Sequence, residues 1–281
     1  MKRRISIGQG TFLAVVVSTL IAIFVKGQGP TGLIIALLSV ATFLFGIIGA
    51  QIMQNRHKRL DGLRVTLRKD DGIYLNIYKM SSIFSKKVQK QTQKLIDNYY
   101  VKTIDYFIVD FYKANKEFIK LFDYLKNLKI KTPKQEEVYG RILDSINEAD
   151  KDRKHIEYLV RNKMLKFKWY MLIGLLVVIL LSVFTINDNS TTSVFISILL
   201  ATFGVIFLLI IRELDSLMWK EQKWIWDPLE QLFNELDLLP YYPAEVILNG
   251  RVKVKKGVRR RIAYYPKLYL DFTGKKVKVE S

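Results

Sequence analysis

The sequence predicts an all-α polytopic membrane protein: four transmembrane helices paired as two hairpins, with a cytoplasmic helical hairpin between them and a small basic C-terminal β module. Three observations carry this. The apolar residues are gathered in four blocks instead of being spread through the 281 residues. Those blocks contain no Asp, Glu, Arg or His, and their only Lys is Lys168 at the start of the third. Four spans make the connecting segments alternate between two sides, and all but Lys26 of the 45 Lys and Arg residues then fall on one of them. The positive-inside rule makes that side the cytoplasm, with both termini on it and the two short turns outside.

The first block, Thr11 to Val25, reaches the roughly 20 residues of a span only with its polar lead-in "ISIGQG". Its basic start "MKRR" also fits a signal peptide, but no A-x-A site follows, and we read it as an uncleaved anchor. After "KGQGP" the second block runs from Leu33 to Met53, where Gly46 and Ala50 have the spacing of a close helix approach.

The insert begins with "LRVTLRKDDGIYLNIYK" (63–79), whose alternation around Asp-Asp-Gly predicts a short β-hairpin. A long helix is expected over 82–128. Its later part carries Val101, Ile104, Ile108, Phe111, Asn115, Phe118, Phe122 and Leu125 at alternating three- and four-residue steps, the seam of a helix buried against a partner. Asn115 occupies a core position of that seam and is a candidate for fixing oligomer register; the alternative is a bond to a neighbour at the edge of an intramolecular bundle. The next helix opens on the capping box Thr132-Pro133-Lys134-Gln135 and, with no Gly or Pro between Gly140 and Gly174, is expected to run directly into the third span, Phe167 to Ile186.

After "NDNST" the fourth block covers Thr192 to Ile211 and leaves lipid at "RELD", where Glu213 and Asp215 are pore-mouth candidates for an oligomer. Trp169 opens the third span, and Trp219, Trp224 and Trp226 follow the fourth, where amphipathic rings are favoured as interfacial anchors. A short helix is expected to continue through "RELDSLMWKEQKWIW" to a break at Asp227-Pro228, with Asp227 capping an amphipathic helix that presents Leu229, Leu232, Phe233 and Leu236 on one face. In the last segment, "VILNGRVKV" predicts a hairpin across Asn249-Gly250, and "KLYLDFTGKKVKV" a second one. The domain plan is therefore 1–58 (first transmembrane hairpin), 59–166 (cytoplasmic insert), 167–212 (second transmembrane hairpin), 213–243 (juxtamembrane elbow and amphipathic helix) and 244–281 (basic β module).

The inventory for chemistry is thin. There is no cysteine, so disulfides and thiolate chemistry are excluded. His57 and His155 belong to no ligand spacing, no phosphate-cradling or nucleophile-elbow motif is present, and "NEADKD" (147–152) lacks the glycine and spacing of a calcium loop. No metal, cofactor or catalytic residue is expected. The run "RVKVKKGVRRR" offers Arg251, Lys253, Lys255, Lys256, Arg259, Arg260 and Arg261 to anionic headgroups, or else guards a solvated β edge. The net charge of +19 makes membrane lipid the expected partner and leaves nucleic acid a weaker one.

Two transmembrane hairpins, a helical insert of just over 100 residues and Leu214-Asp215 directly after the fourth span resemble the bacterial bestrophin-like membrane proteins. Ser216-Leu217 stand where that family commonly has Pro-Phe, and the acidic calcium-binding run of bestrophins proper is absent. The resemblance implies a homo-oligomeric, channel-like, anion-conducting protein of the inner membrane. The alternative is a membrane-anchored scaffold that binds anionic lipid or a protein partner through its cytoplasmic parts. The sequence names no small-molecule substrate.

Overall fold

The structure is a computed structural model and describes residues 6–25, 27–217, 223–250, 252, 254, 257–267, 269 and 271–281, without the side chains of Lys223 and Trp224. The chain divides into two compact units, one built from 2–60 and 163–219 and the other from 61–162 and 220–281.

Among the described residues, four helices are long and apolar enough to cross a membrane, and their apolar stretches make up the first unit. Helix α1 (Ile7–Phe24) starts inside the polar lead-in, because Ser6 and Gln9 form a capping box: the Ser6 hydroxyl accepts from Gln9 N–H and the Gln9 carbonyl accepts from Ser6 N–H. Helix α2 (Gly32–Ser81) contributes its apolar half here, followed by α6 (Lys166–Ile186) and α7 (Thr191–Ser216). Helices α1 and α7 run antiparallel, with Gly10 against Leu209 at one end and Ala22 clustered with Phe184 and Ala201 at the other. At that second end Gln28 N–H donates to the Thr185 carbonyl, so both short turns lie together.

Small residues set the distances between these helices. A Cβ on Gly49 would stand 2.5 Å from the Phe207 ring, whereas Gly46 has nothing within 4 Å and Ala50 is exposed. The close approach expected at Gly46 and Ala50 is therefore made one position away, at Gly49. Large apolar side chains such as Phe12, Phe24, Leu33, Phe43 and Phe203 point outward from the unit, the surface a hydrocarbon solvent requires.

In the second unit the segment read as a β-hairpin is helical. Residues 61–81 belong to α2, and Leu63, Thr66, Asp70, Tyr74, Ile77 and Ser81, at steps of three and four, are all buried. That period outweighs the local turn chemistry of Asp70-Asp71-Gly72. Antiparallel to this half lies α5 (Pro133–Arg161): Leu159 reaches Gly62, Glu148 and Asp152 meet Lys69, and the Gln135 amide donates to the Ile83 carbonyl. Thr132 caps α5 as expected, but the Gln135 side chain accepts from Lys131 N–H in place of the cap's own amide.

The single helix expected over 82–128 is three segments: α3 (Lys86–Asp105), a 3-10 turn (Ile108–Ala114) and α4 (Asn115–Lys126). Phe107, at φ +50°, takes the left-handed conformation and turns the chain, so the seam folds back on itself and packs within this unit. The expected passage of α5 into the third span fails as well. Helix α5 ends at Arg161, and α6 starts afresh at Lys166 with Leu165 extended at its N-cap.

Helix α7 ends at Ser216 with Leu217 left-handed, and α8 (Lys223–Glu235) contains Pro228 in its interior, so Asp227 does not cap a new helix. Its predicted apolar face holds, with Leu232, Phe233 and Leu236 buried. Asn249-Gly250 closes the short helix α9 (Ala244–Leu248) instead of a hairpin. The strands that form are β1 (Tyr241–Pro243), β2 (Arg260–Tyr264) and β3 (Lys276–Glu280), in the order β1-β2-β3, with β1 parallel and β3 antiparallel to β2. Strand β3, the second arm of the expected second hairpin, thus pairs with β2; Leu268 and Leu270 of the first arm lie outside the described residues.

Candidate functional site

The last turn of α7 carries the densest ionic contacts of the first unit. Leu214 is buried, which turns Asp215 toward the helices beside it. Asp215 Oδ1 accepts from Arg56 Nη1 at 3.1 Å and from the Met164 N–H at 2.8 Å. Arg59 lies 3.8 Å from the same oxygen and donates to the Asp215 carbonyl at 2.8 Å. Arg56 and Arg59 are one turn apart on α2, and the Met164 amide is available because the chain is non-helical between α5 and α6. One carboxylate thus ties α2, the entry to α6 and the end of α7 together. Neighbouring Glu213 pairs with Arg212 at 3.0 Å. Asp215, read from sequence as a pore-mouth charge, is committed to donors of its own chain, its side chain only 13% exposed.

The second unit has two carboxylates that hold the C-terminal sheet to α3. Asp105, whose side chain is wholly buried, accepts from Tyr241 Oη at 2.6 Å, Tyr265 Oη at 2.7 Å and Lys275 Nζ at 2.6 Å. Burial pushes both phenols well above the usual tyrosine range, so they remain donors. Asp97 takes both Nη atoms of Arg261 at 2.7 Å, a fork that is planar by nature and holds direction as well as charge. The same guanidinium stacks over Phe233 and Tyr241.

These contacts correct the reading of the basic run. Arg261 is turned into the protein and Arg260 is buried, so neither faces headgroups; Arg259 is exposed, and Arg251, Lys253, Lys255 and Lys256 lie outside the described residues. Trp226 is also internal, 5% exposed against Tyr242, because α8 packs into this unit. Trp169 packs on Ile52, Met164, Leu172 and Ile211; Trp219 and the Trp224 side chain lie outside the described residues. Asn115, exposed at the start of α4, accepts from Arg153 at 3.2 Å, the neighbour-bonding alternative.

A third cluster was not foreseen. On α2, outside its apolar half, Asp70 is buried and Asp71 half-buried; Asp71 accepts from Tyr100 Oη at 2.7 Å, and Oδ1 of Asp70 has no hydrogen-bond partner among the described residues. Tyr74, Tyr99 and Tyr100 pack around them ring to ring, and Arg153 of α5 lies over Tyr99, Phe111 and Phe118. Burial raises the Asp70 carboxyl well above the ordinary range, and it pushes Asp71 up to about 7 against the opposing Tyr100 hydrogen bond and Arg68 charge.

The described residues contain no group of three or more His, Cys, Asp and Glu able to hold a metal ion. His57 is exposed with its ring nitrogen near the Met53 carbonyl, and His155 is exposed beside Tyr158. What the arrangement supplies is a set of charged joints and a set of spans whose one charge is Lys168 at the start of the third.

Two predictions follow from these joints. Asp215→Ala leaves two guanidiniums without their carboxylate and is expected to cost about 3 kcal/mol, measured as a lower melting temperature in detergent; Glu213→Ala, whose partner is its own neighbour, is expected to change stability by no more than about 0.5 kcal/mol. For Asp71, a raised carboxyl pKa means that the folded chain holds the proton more tightly than the unfolded chain does. The contribution of Asp71 to the α2–α3 contact is therefore full below about pH 4, falls as pH rises toward about 7, and is gone above it. Hydrogen exchange of peptides 63–81 and 86–105 between pH 5 and 8 reads this fall, and Asp71→Asn should flatten it.

Among known protein families, the one described as Bestrophin-like domain matches residues 10–216 of the chain. Comparisons with curated proteins and with solved structures gave no match.

Proposed function

The chain belongs to the bestrophin-like family of channel-like, multi-pass membrane proteins, and from that premise we propose that several copies assemble in the inner membrane to conduct anions. The observation that carries this reading is the family match laid over four spans that hold no charge beyond Lys168 at their edge. Intramembrane ionisable residues mark proton relays and ion-coupled transport. Their absence fits a passive path in which apolar constrictions gate and charges at the mouth select.

The charge at one end of the first unit fits an anion. Arg56, Lys58, Arg59, Lys163, Lys166, Lys168 and Arg212 gather where the spans end, against Glu213 and Asp215 alone. Both carboxylates are paired with arginines, so their charge is locally cancelled and the surplus left over is positive. A mouth of one sign raises the local concentration of counter-ions and their entry rate. We assign this Lys- and Arg-rich side to the cytoplasm, and both termini with it, by the positive-inside rule. The outward apolar faces of α1 and α2 are then shared between lipid and neighbouring copies.

Purified protein in native lipid is expected to give a mass of several protomers, and liposomes containing it to pass halide faster than empty ones. Replacing Lys163, Lys166 and Lys168 with Gln is expected to lower the halide rate roughly two- to tenfold and leave assembly intact. A monomer in native lipid with no flux above the empty-vesicle rate would contradict the proposal.

A further inference from the structure

The helices of the second unit treat their surface charges in two different ways. On α4 and α5 basic residues are repeatedly matched by an acid one turn earlier: Glu117 with Lys120, Glu137 with Arg141, Asp150 with Lys154 and Glu157 with Arg161. The first half of α3 differs in carrying an uninterrupted row of lysines. Lys86, Lys90 and Lys94 follow one another at four-residue spacing with Lys87 beside them, and from Ile73 to Ile96 the sequence contains no acidic residue. All four lysines are exposed, and none has an ion-pair partner among the described residues. Like charges four apart on a helix repel and destabilise it, so the row is an unfavourable arrangement until an anion neutralises it.

The lysines also border a shaped surface. With Val88, Gln91 and Tyr124 of α4 they line an open groove of about 710 Å³, and no acidic side chain lines it. Tyr124 is half-buried, and that burial raises its phenol above the ordinary range, which keeps it a hydrogen-bond donor. From Lys86 to Lys94 the row extends about 12 Å along the helix, longer than one phosphate group can bridge.

We propose that this groove on α3 is a binding site for a ligand carrying two or more phosphate groups, which Lys86, Lys87, Lys90 and Lys94 would hold with Gln91 and Tyr124 at its side. A soluble polyphosphate compound and a multiply phosphorylated lipid headgroup share this chemistry. The site is independent of the conduction reading, since it rests on the second unit alone.

The test uses the full chain in phosphatidylcholine nanodiscs, with lysine acetylation read residue by residue by mass spectrometry. In one arm sodium tripolyphosphate is added and compared with sulfate at equal ionic strength; in the other the nanodiscs carry a bisphosphorylated inositol lipid. Slower acetylation of the four lysines in the first arm identifies a soluble ligand class, and in the second arm alone a headgroup. Replacing the four lysines with Gln should weaken binding at least about tenfold, while Gln at the exposed Lys116, Lys126, Lys129 and Lys134 should leave it unchanged. Protection in neither arm, equal protection by sulfate, or an equal loss in the control variant would overturn the proposal. The wild-type acetylation pattern decides even if the fourfold variant fails to fold.

Discussion

The contact on which the first unit most depends is the one Asp215 makes with Arg56, Arg59 and the Met164 amide. Helices in hydrocarbon satisfy their own backbone and gain little from burying apolar faces against one another, because lipid tails are equally apolar. Direction and register have to come from close packing of small residues and from polar ties at the ends. Here Gly10, Gly49 and Gly204 let neighbouring side chains sit against the backbone, and Asp215 supplies the tie at the charged end. Three chain segments distant in sequence meet at one carboxylate, so the position of the fourth span fixes that of the second and of the entry to the third.

The second unit is built on a related principle with different means. Asp97 and Asp105 on α3 bind Arg261, Lys275 and the phenols of Tyr241 and Tyr265, and so tie a three-stranded sheet of short strands to that helix. Cations that the sequence presents as a surface cluster are partly consumed inside the fold. The lysine row on α3 is the converse case: its charges meet no acid among the described residues, and that difference marks it as a surface for something else.

Much of the first unit was legible in the sequence because a long apolar block has few alternatives to a helix. The four blocks match α1, the first half of α2, α6 and α7 to within a few residues, and Leu214-Asp215 pointed to the family that residues 10–216 match. The second unit was read less well, for identifiable reasons. Asp70-Asp71-Gly72 is strong turn chemistry, yet Leu63, Thr66, Tyr74 and Ile77 lie on one helical face, and burial of that face decides the structure. The seam around Asn115 has a flawless period but is broken by a left-handed Phe107, which no local signal announces. Arg56 and Arg59 as partners of Asp215, and Asp97 as the partner of Arg261, are pairings across more than 150 residues that periodicity does not encode.

In the proposed assembly, the positive end of a bundle whose spans carry only Lys168 selects anions. The most direct measurement is the reversal potential of the reconstituted protein in a planar bilayer under a potassium chloride gradient. A reversal potential close to the chloride equilibrium value is the result expected, and one close to the potassium value would contradict the account.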